Sequence, residues 1–408
     1  MSVISVFSGT FSKTDPVVQE VLSQRGGKLI NDQEVVSGAS ALSGISSPKL
    51  SRAFTSKTSV FNKFTHEKEC SVAYLKLALA EMLTGDHLLI AGFTSQLIPS
   101  TISHVLRVCL IAELKYRIEA AIVQHKISEK EAAKLIAKQD EDCVVWVTSL
   151  LGADDPWNAS LYDIVVPMHK TSVTEAAQLI TAYAAKEVVQ PTARSQQAVA
   201  DFHLAAQTEV ALVREGHNVD VSAEDGAVTL TINKHVLMLS RLEEELKSVA
   251  GKVAGVRSVA TRVGKGYYQA DIYRKYDFER PSKVLLVDDE REFAQTLSER
   301  LLMRDMGSTV AYDGESALNM IQEDEPEVMI LDLKMPGIDG IEVLRRVKAT
   351  RPEIEVIILT GHGSEADRET CMQLGAFAYL QKPVDIGVLT ETLKKANEKM
   401  RQNLAAKA

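Results

Sequence analysis

The chain has 408 residues, of which 45% are hydrophobic and 25% charged, enough for about two to four ordinary domains. A net charge of -9 argues against a general nucleic-acid binder. Four distant cysteines (Cys70, Cys109, Cys143, Cys371) with no Cys-x-x-Cys pair argue against a disulfide framework or a zinc site, and a reducing cytoplasm is the expected location.

The amino terminus offers Val3, Ile4, Val6 and Phe7 without a basic flank or a long apolar core, so it reads as a first strand and not as a signal peptide. No run approaches the ~20 apolar residues of a membrane span. From Val3 to about Ala185, apolar runs (Val3 to Phe7, His87 to Ala91, Val105 to Ile111, Tyr162 to Val166) alternate with helical periodicities (Ala73 to Leu83, Lys115 to Gln124, Glu129 to Lys138). That alternation predicts a doubly wound α/β domain. The first strand runs into Ser8-Gly9-Thr10-Phe11-Ser12-Lys13-Thr14, with Asp15-Pro16 expected to open a helix as N-cap and first-turn residues. A phosphate-binding loop belongs at this place, with Gly9, Ser12, Lys13 and Thr14 its candidate contacts.

The order of elements over residues 1 to 190 resembles the cytidylate-kinase-like branch of the nucleoside monophosphate kinases. The likeness rests on the loop, on Asn31-Asp32-Gln33-Glu34, on Ile127-Ser128-Glu129-Lys130-Glu131-Ala132-Ala133, and on Trp157 with Leu161-Tyr162-Asp163. It implies a P-loop-kinase-like fold with ATP or another nucleotide as ligand. The departures count as much. A phosphate cradle needs glycines and a lysine, yet Phe7 and Ser12 stand where the two motif glycines fall. The resemblance also implies an arginine after the central strand and others in a lid, whereas Gly92 is followed by Phe93 and Asp140-Glu141-Asp142-Cys143 is acidic. Arg117 matches a family arginine, though a surface arginine on that helix is equally expected. The expectation is a catalytically weak or inactive domain that binds a nucleotide or a partner protein, with an active CMP-type kinase as the alternative. The Ser, Ala and Thr-rich residues 36 to 60 receive no assignment.

A polar break near Gln190-Pro191-Thr192-Ala193 precedes a second segment, residues 195 to 276. A helix from Gln196 to Glu209 leads to two alternating runs, Val219 to Val221 and Ala227 to Thr231, around Glu224-Asp225-Gly226, and an Asp-Gly turn between such runs signals a hairpin. A second helix, Val236 to Val249, precedes Val253-Ala254-Gly255-Val256-Arg257-Ser258-Val259 and a closing strand. This small α+β segment resembles the BON domain, which implies a binding or spacer module; a generic α+β adaptor without a ligand remains open.

After a second break near Asp277 to Ser282, four apolar runs end in polar residues. Val284 to Val287 ends in Asp288-Asp289, Val328 to Leu331 in Asp332, Val356 to Leu359 in Thr360, and Ala378 to Gln381 in Lys382-Pro383. Such runs read as buried parallel strands, and the ligand crevice of an open parallel sheet lies at their carboxyl ends. Converging carboxylates repel one another, and a hard divalent cation relieves that repulsion.

Residues 282 to 402 resemble the receiver domain of two-component response regulators, with a flavodoxin-like (βα)5 fold. The resemblance implies Asp332 as the phospho-acceptor. It implies Mg²⁺ held by Asp289, Asp332 and the Lys334 backbone carbonyl, with Asp288 acting through water. Thr360 and Lys382 would contact the phosphoryl oxygens, and Thr360 with Tyr379 would form the switch. A flavodoxin-like domain whose carboxylates merely solvate strand ends is the alternative. The implied partner is a sensor histidine kinase or a phosphotransfer protein. No direct DNA binding is expected, since Leu389 to Ala408 reads as one continuing amphipathic helix and not as a helix-turn-helix; homodimerisation is left open.

Overall fold

The computed structural model describes all residues except 1, 58–61, 86, 237–238, 269–280, 282, 305, 362 and 406–408. The chain divides into two units, Met1–Thr58 with Lys68–Tyr273 and Ser59–Glu67 with Arg274–Ala408. Asp277 to Arg280 and Ser282, where the second break is expected, lie outside the described residues. No described helix is long and apolar enough to cross a membrane.

In the first unit, β1 (Val3–Ser8), β2 (Lys28–Asn31), β3 (Leu88–Ala91), β4 (Val105–Ile111) and β5 (Ile164–Pro167) form a parallel sheet in the order β2-β3-β1-β4-β5. Alternation along β1 sends Val3 and Phe7 into one apolar layer and Ile4 and Val6 into the other, the mark of a sheet covered on both faces. The doubly wound expectation holds, with β5 starting two residues late because Tyr162 ends a 3-10 turn, Ala159–Leu161. The described part of the unassigned stretch lies largely in the helices Asp32–Ser43 and Ser47–Ser51 and the 3-10 turn Arg52–Phe54. Asn31 opens the first by a capping box with Glu34.

Two expectations need correction. The helix after the loop starts at Thr14, so Lys13 and not Asp15 is its N-cap; Lys13 is left-handed and makes no side-chain cap, and Asp15 lies in the first turn. The helix expected to end at Lys138 runs from Glu129 to Leu151. Its buried stripe Ala132, Ile136, Cys143 and Val147 keeps helical spacing straight through the acidic run.

The helix Ala193–Arg214 supplies Phe202, Ala206 and Val210 to the first apolar layer, and Leu204 and Leu212 to a separate small core. That core lies under β6 (Asp220–Glu224), β7 (Ala227–Ile232) and β8 (Ser258–Val263). β6 and β7 pair antiparallel across a two-residue turn, and β7 pairs with β8 in parallel. Asp225 (φ 45°) and Gly226 (φ 77°) both take the positive φ that such a hairpin turn demands.

In the second unit, β9 (Val284–Val287), β10 (Ser308–Ala311), β11 (Val328–Leu331), β12 (Glu355–Thr360) and β13 (Ala378–Gln381) form a parallel sheet in the order β10-β9-β11-β12-β13. This is the doubly wound order with its ligand crevice at the carboxyl ends of β9 and β11. Every residue of β9, β11 and β12 is buried. The last helix, Ile386–Ala405, turns Leu389, Leu393 and Ala396 onto the sheet.

Candidate functional site

β9 and β11 are adjacent and in register, Leu331 opposite Val287, so the residues that follow them emerge side by side. The carboxylates of Asp288, Asp289 and Asp332 each offer an oxygen within 4.8 Å of the others. Asp288 and Asp332 are buried, Asp289 half-buried. The Asp332 backbone N–H donates to Val287 O (2.9 Å), and its Oδ1 accepts from Leu333 N–H (2.7 Å). Asp288 Oδ1 accepts from Glu290 N–H (3.0 Å). Asp288 and Asp332 are thereby oriented by backbone as well as by their strands.

Lys382 follows β13, and its N–H donates to Thr360 O (3.0 Å). Its Nζ lies 2.7 Å from Asp288 Oδ2, 3.0 Å from Glu290 Oε1 and 3.3 Å from Asp332 Oδ2. Burial alone pulls the ammonium pKa down, but the bonds to Asp288 and Glu290 outweigh it and hold Lys382 above its ordinary value. Burial raises the Asp288 carboxyl, with the Lys382 bond opposing. Thr360 is fully buried at the end of β12. Among the described residues the Tyr379 hydroxyl has no hydrogen-bond partner, and it lies over Gly363, where a Cβ would fall 1.6 Å from it.

Three contributors escape the sequence reading. Glu290 is the third partner of Lys382, and the Phe293 ring lies 4.4 Å from its Nζ. Gly340 leaves room for the Asp332 carbonyl, since a Cβ there would come within 2.2 Å of it. Its only signal is the glycine closing Met335-Pro336-Gly337-Ile338-Asp339-Gly340. Lys334, expected to act through its carbonyl, is exposed, and its N–H reaches Asp332 Oδ1 at 3.5 Å.

In the first unit the loop after β1 is closed on itself. Ser12 N–H donates to Gly9 O (3.2 Å), Gly9 N–H to Leu110 O (3.0 Å), and the Thr14 hydroxyl to Ser8 Oγ (2.7 Å). Phe11 (φ 63°) and Lys13 (φ 55°) take the left-handed conformation, which costs a non-glycine residue roughly 1 kcal/mol or more. Phe7, in the place of the first motif glycine, is buried against Trp157, Tyr162 and Phe93. Lys13 Nζ sits 5.4 Å from the centre of the Tyr116 ring. Arg117 is not a surface arginine: it is 7% exposed, grips Asp140 with two bonds (2.6 and 2.9 Å) and donates from Nε to Thr10 O (2.7 Å). After β3, Asp32 accepts from the N–H groups of Phe93 and Thr94 and from the Thr94 hydroxyl; burial raises its pKa despite those bonds.

Comparison with known proteins separates the two regions. Residues 284–394 match the family model of the response regulator receiver domain. The C-terminal region is a receiver domain. Over 102 residues it is 43% identical to the transcriptional regulatory protein CpxR of Escherichia coli K12, an alignment covering 25% of this chain and 43% of that protein. Over 107 residues it is 41% identical to a probable transcriptional regulator, ycf27, of Guillardia theta, covering 26% and 42%. The chain thus spans less than half the length of these relatives. A receiver domain structure from Clostridium thermocellum is 33% identical, with 29% of this chain and 97% of that one covered and a TM-score of 0.29. Residues 17–170 match the cytidylate kinase-like family, a stretch that begins after the loop.

The two domains differ in how they suit the groups their families hold. Three clustered oxygens at the receiver site, with Asp289 outside the Lys382 bonds, suit a hard divalent cation. The loop of the kinase-like domain does not suit nucleotide phosphates: its Thr14 hydroxyl and two of its amides bond within the protein, and Arg117 beside it already holds a carboxylate.

Proposed function

We propose that the chain is a two-component response regulator in which Asp332 accepts a phosphoryl group from a histidine kinase or a phosphotransfer protein. The observation that carries this reading is the convergence of Lys382 on Asp288 and Asp332, with Asp289 beside them. The Asp332 carboxylate oxygen forms the new bond to phosphorus as the donor's bond to phosphorus breaks, and catalysis is mostly positioning and charge neutralisation. Leu333 N–H fixes one Asp332 oxygen, leaving Oδ2 to attack. Asp289, Asp332 and the Lys334 carbonyl would hold Mg²⁺, Asp288 acting through water; when bound, the ion offsets negative charge on the phosphoryl oxygens. Lys382 and Thr360 would bond those oxygens. Thr360 moving toward the phosphoryl group and Tyr379 moving inward, its hydroxyl now unpartnered, would form the two-state switch. Intact-mass spectrometry with acetyl phosphate and Mg²⁺ tests the assignment: one phosphoryl group on the wild type and none on Asp332→Asn are expected, and equal labelling would overturn it.

The output is binding of a nucleotide or a partner protein by the kinase-like domain, not phosphoryl transfer. The support is the missing positive charge, Phe93 standing after Gly92 and Asp140 neutralising Arg117. An arginine at the transferring phosphoryl group is worth about a thousandfold or more in rate. In the competing reading the receiver gates a nucleoside monophosphate kinase. A coupled assay of CMP, dCMP, UMP and AMP phosphorylation by ATP, with and without phosphodonor, separates the two: turnover of about 10 per second lost in Lys13→Ala would establish the gated kinase. The α-β-β-α-β order of residues 193–263 supports a BON-like module between them.

A further inference from the structure

Where the charge of Arg117 goes decides what the loop after β1 can hold. The guanidinium is a planar fork that fits carboxylate and phosphate by the same geometry. Here both arms of the fork are spent on Asp140, at 2.9 Å from Nη1 and 2.6 Å from Nη2, and Nε is spent on the Thr10 carbonyl. Asp140 comes from another helix, Glu129–Leu151, where its neighbour Asp142 accepts from Ser56 N–H. The acidic run thus works inward, on the loop and on the segment after the 3-10 turn Arg52–Phe54.

A second observation lies within the loop. Ser12 is fully buried, and its Oγ has no hydrogen-bond partner among the described residues. A Cβ placed on Gly9 would lie 3.4 Å from that Oγ and 3.5 Å from Arg117 Cζ, so hydroxyl and guanidinium face the same small space beside Gly9. A buried hydroxyl without a partner costs about 1–3 kcal/mol, and an anion oxygen received by Arg117 is the group that would satisfy it.

We propose that Asp140 is a built-in counter-anion that seals this loop. With Asp140 on Arg117 the native domain takes no nucleoside polyphosphate there. Neutralising Asp140 frees the guanidinium, which together with Ser12 Oγ and Lys13 then holds a polyphosphate. This deepens the binding reading of the kinase-like domain by narrowing its occupant to one without a polyphosphate in the loop, and it is independent of the chemistry at Asp332.

The experiment is isothermal titration calorimetry of the full chain with inorganic triphosphate and, separately, ATP. It compares wild type, Asp140→Asn, and Asp140→Asn combined with Arg117→Gln, with folding checked by circular dichroism. Wild type is expected to show no saturation up to about 1 mM ligand. Asp140→Asn is expected to bind triphosphate at least about tenfold tighter than that limit, the effect of regaining one charge-assisted contact. The double variant is expected to return to the wild-type result. No gain in a folded Asp140→Asn, or a gain that survives loss of Arg117, overturns the proposal. If Asp140→Asn does not fold, Asp140→Ser replaces it, and the wild-type titration decides by itself: ATP binding below about 100 µM that Lys13→Gln abolishes refutes the seal. Nucleotide turnover in the coupled assay is a separate readout, so a failure of the binding reading is told apart from a failure of the seal.

Discussion

Replacing Lys382 by alanine removes the cation on which the receiver site converges. At 2.7 Å from Asp288 and 3.3 Å from Asp332, each attraction is worth roughly 5–6 kcal/mol before desolvation, at an effective dielectric constant of about 20. Desolvation offsets most of this, and breaking a buried pair by removing one partner costs about 3–5 kcal/mol net, because the remaining charge stays buried. Lys382 and both acids are nearly inaccessible, so little discount for solvent screening applies. Hydrogen exchange of the full chain, read by mass spectrometry on peptides covering β9 and β11, should therefore rise about a hundredfold or more in metal-free buffer, at ~1.4 kcal/mol per tenfold. Millimolar Mg²⁺ should restore much of the protection, since the three carboxylates remain and mass action favours the liganded fold. Protection unchanged by the substitution, or unchanged by Mg²⁺ in the variant, would refute the view that Lys382 and a cation neutralise the same charges.

Asp332→Asn should abolish the single phosphoryl adduct while leaving the fold intact, by intact mass and circular dichroism. Gly340→Ala puts a Cβ within 2.2 Å of the Asp332 carbonyl; it should cost about 1–3 kcal/mol in denaturant unfolding followed in the receiver domain, and slow labelling of Asp332. Gly92→Ala combines a φ of +114° with a Cβ 2.2 Å from the Asp32 carboxylate, so it should destabilise the first unit by about 2 kcal/mol or more. Burial pushes the Cys109 and Cys143 thiols up to about 12 and Cys371 up to about 11. The thiolate is the reactive form, so native protein at pH 8 should alkylate first at half-buried Cys70, and early alkylation of Cys109 would count against this packing.

The receiver site was legible because its groups stand at the ends of uninterrupted apolar runs. Once Val284–Val287 and Val328–Leu331 are read as neighbouring strands, Asp288 and Asp332 must emerge together. Glu290, Phe293 and Gly340 were missed because they lie at the N-cap, in the first turn and at the start of helices, whose positions no periodicity fixes. In the first domain the alternation of strands and helices was legible. The extent of the Glu129–Leu151 helix was not, since three consecutive acidic residues interrupt its apolar pattern and suggest an end. Their partners, Arg117 for Asp140 and Ser56 N–H for Asp142, are 23 and 86 residues away in sequence, and no local pattern reports such a distance.

The two sites treat charge in opposite ways, and this bears on which of them handles phosphoryl groups. At the receiver site the acids outnumber their cation among the described residues: Lys382 bonds Asp288, Asp332 and Glu290, and Asp289 clusters with the first two outside those bonds. Such a cluster has net negative charge that only an added cation relieves, and the cation in turn admits an anion as charged as a phosphoryl group. In the kinase-like domain Arg117 is neutralised by Asp140, Lys13 rests against Tyr116, and the amides of Phe93 and Thr94 are taken by Asp32. An incoming phosphate would have to displace a carboxylate at two of those three places, and each displaced carboxylate would remain nearby as a like charge. A site whose neighbouring donors are already bonded to the domain's own acids gains little from a nucleotide. A strand-end cluster with charge left over would gain from both Mg²⁺ and a phosphoryl group, which supports the proposal of a switch at Asp332 and a binding role for the first domain.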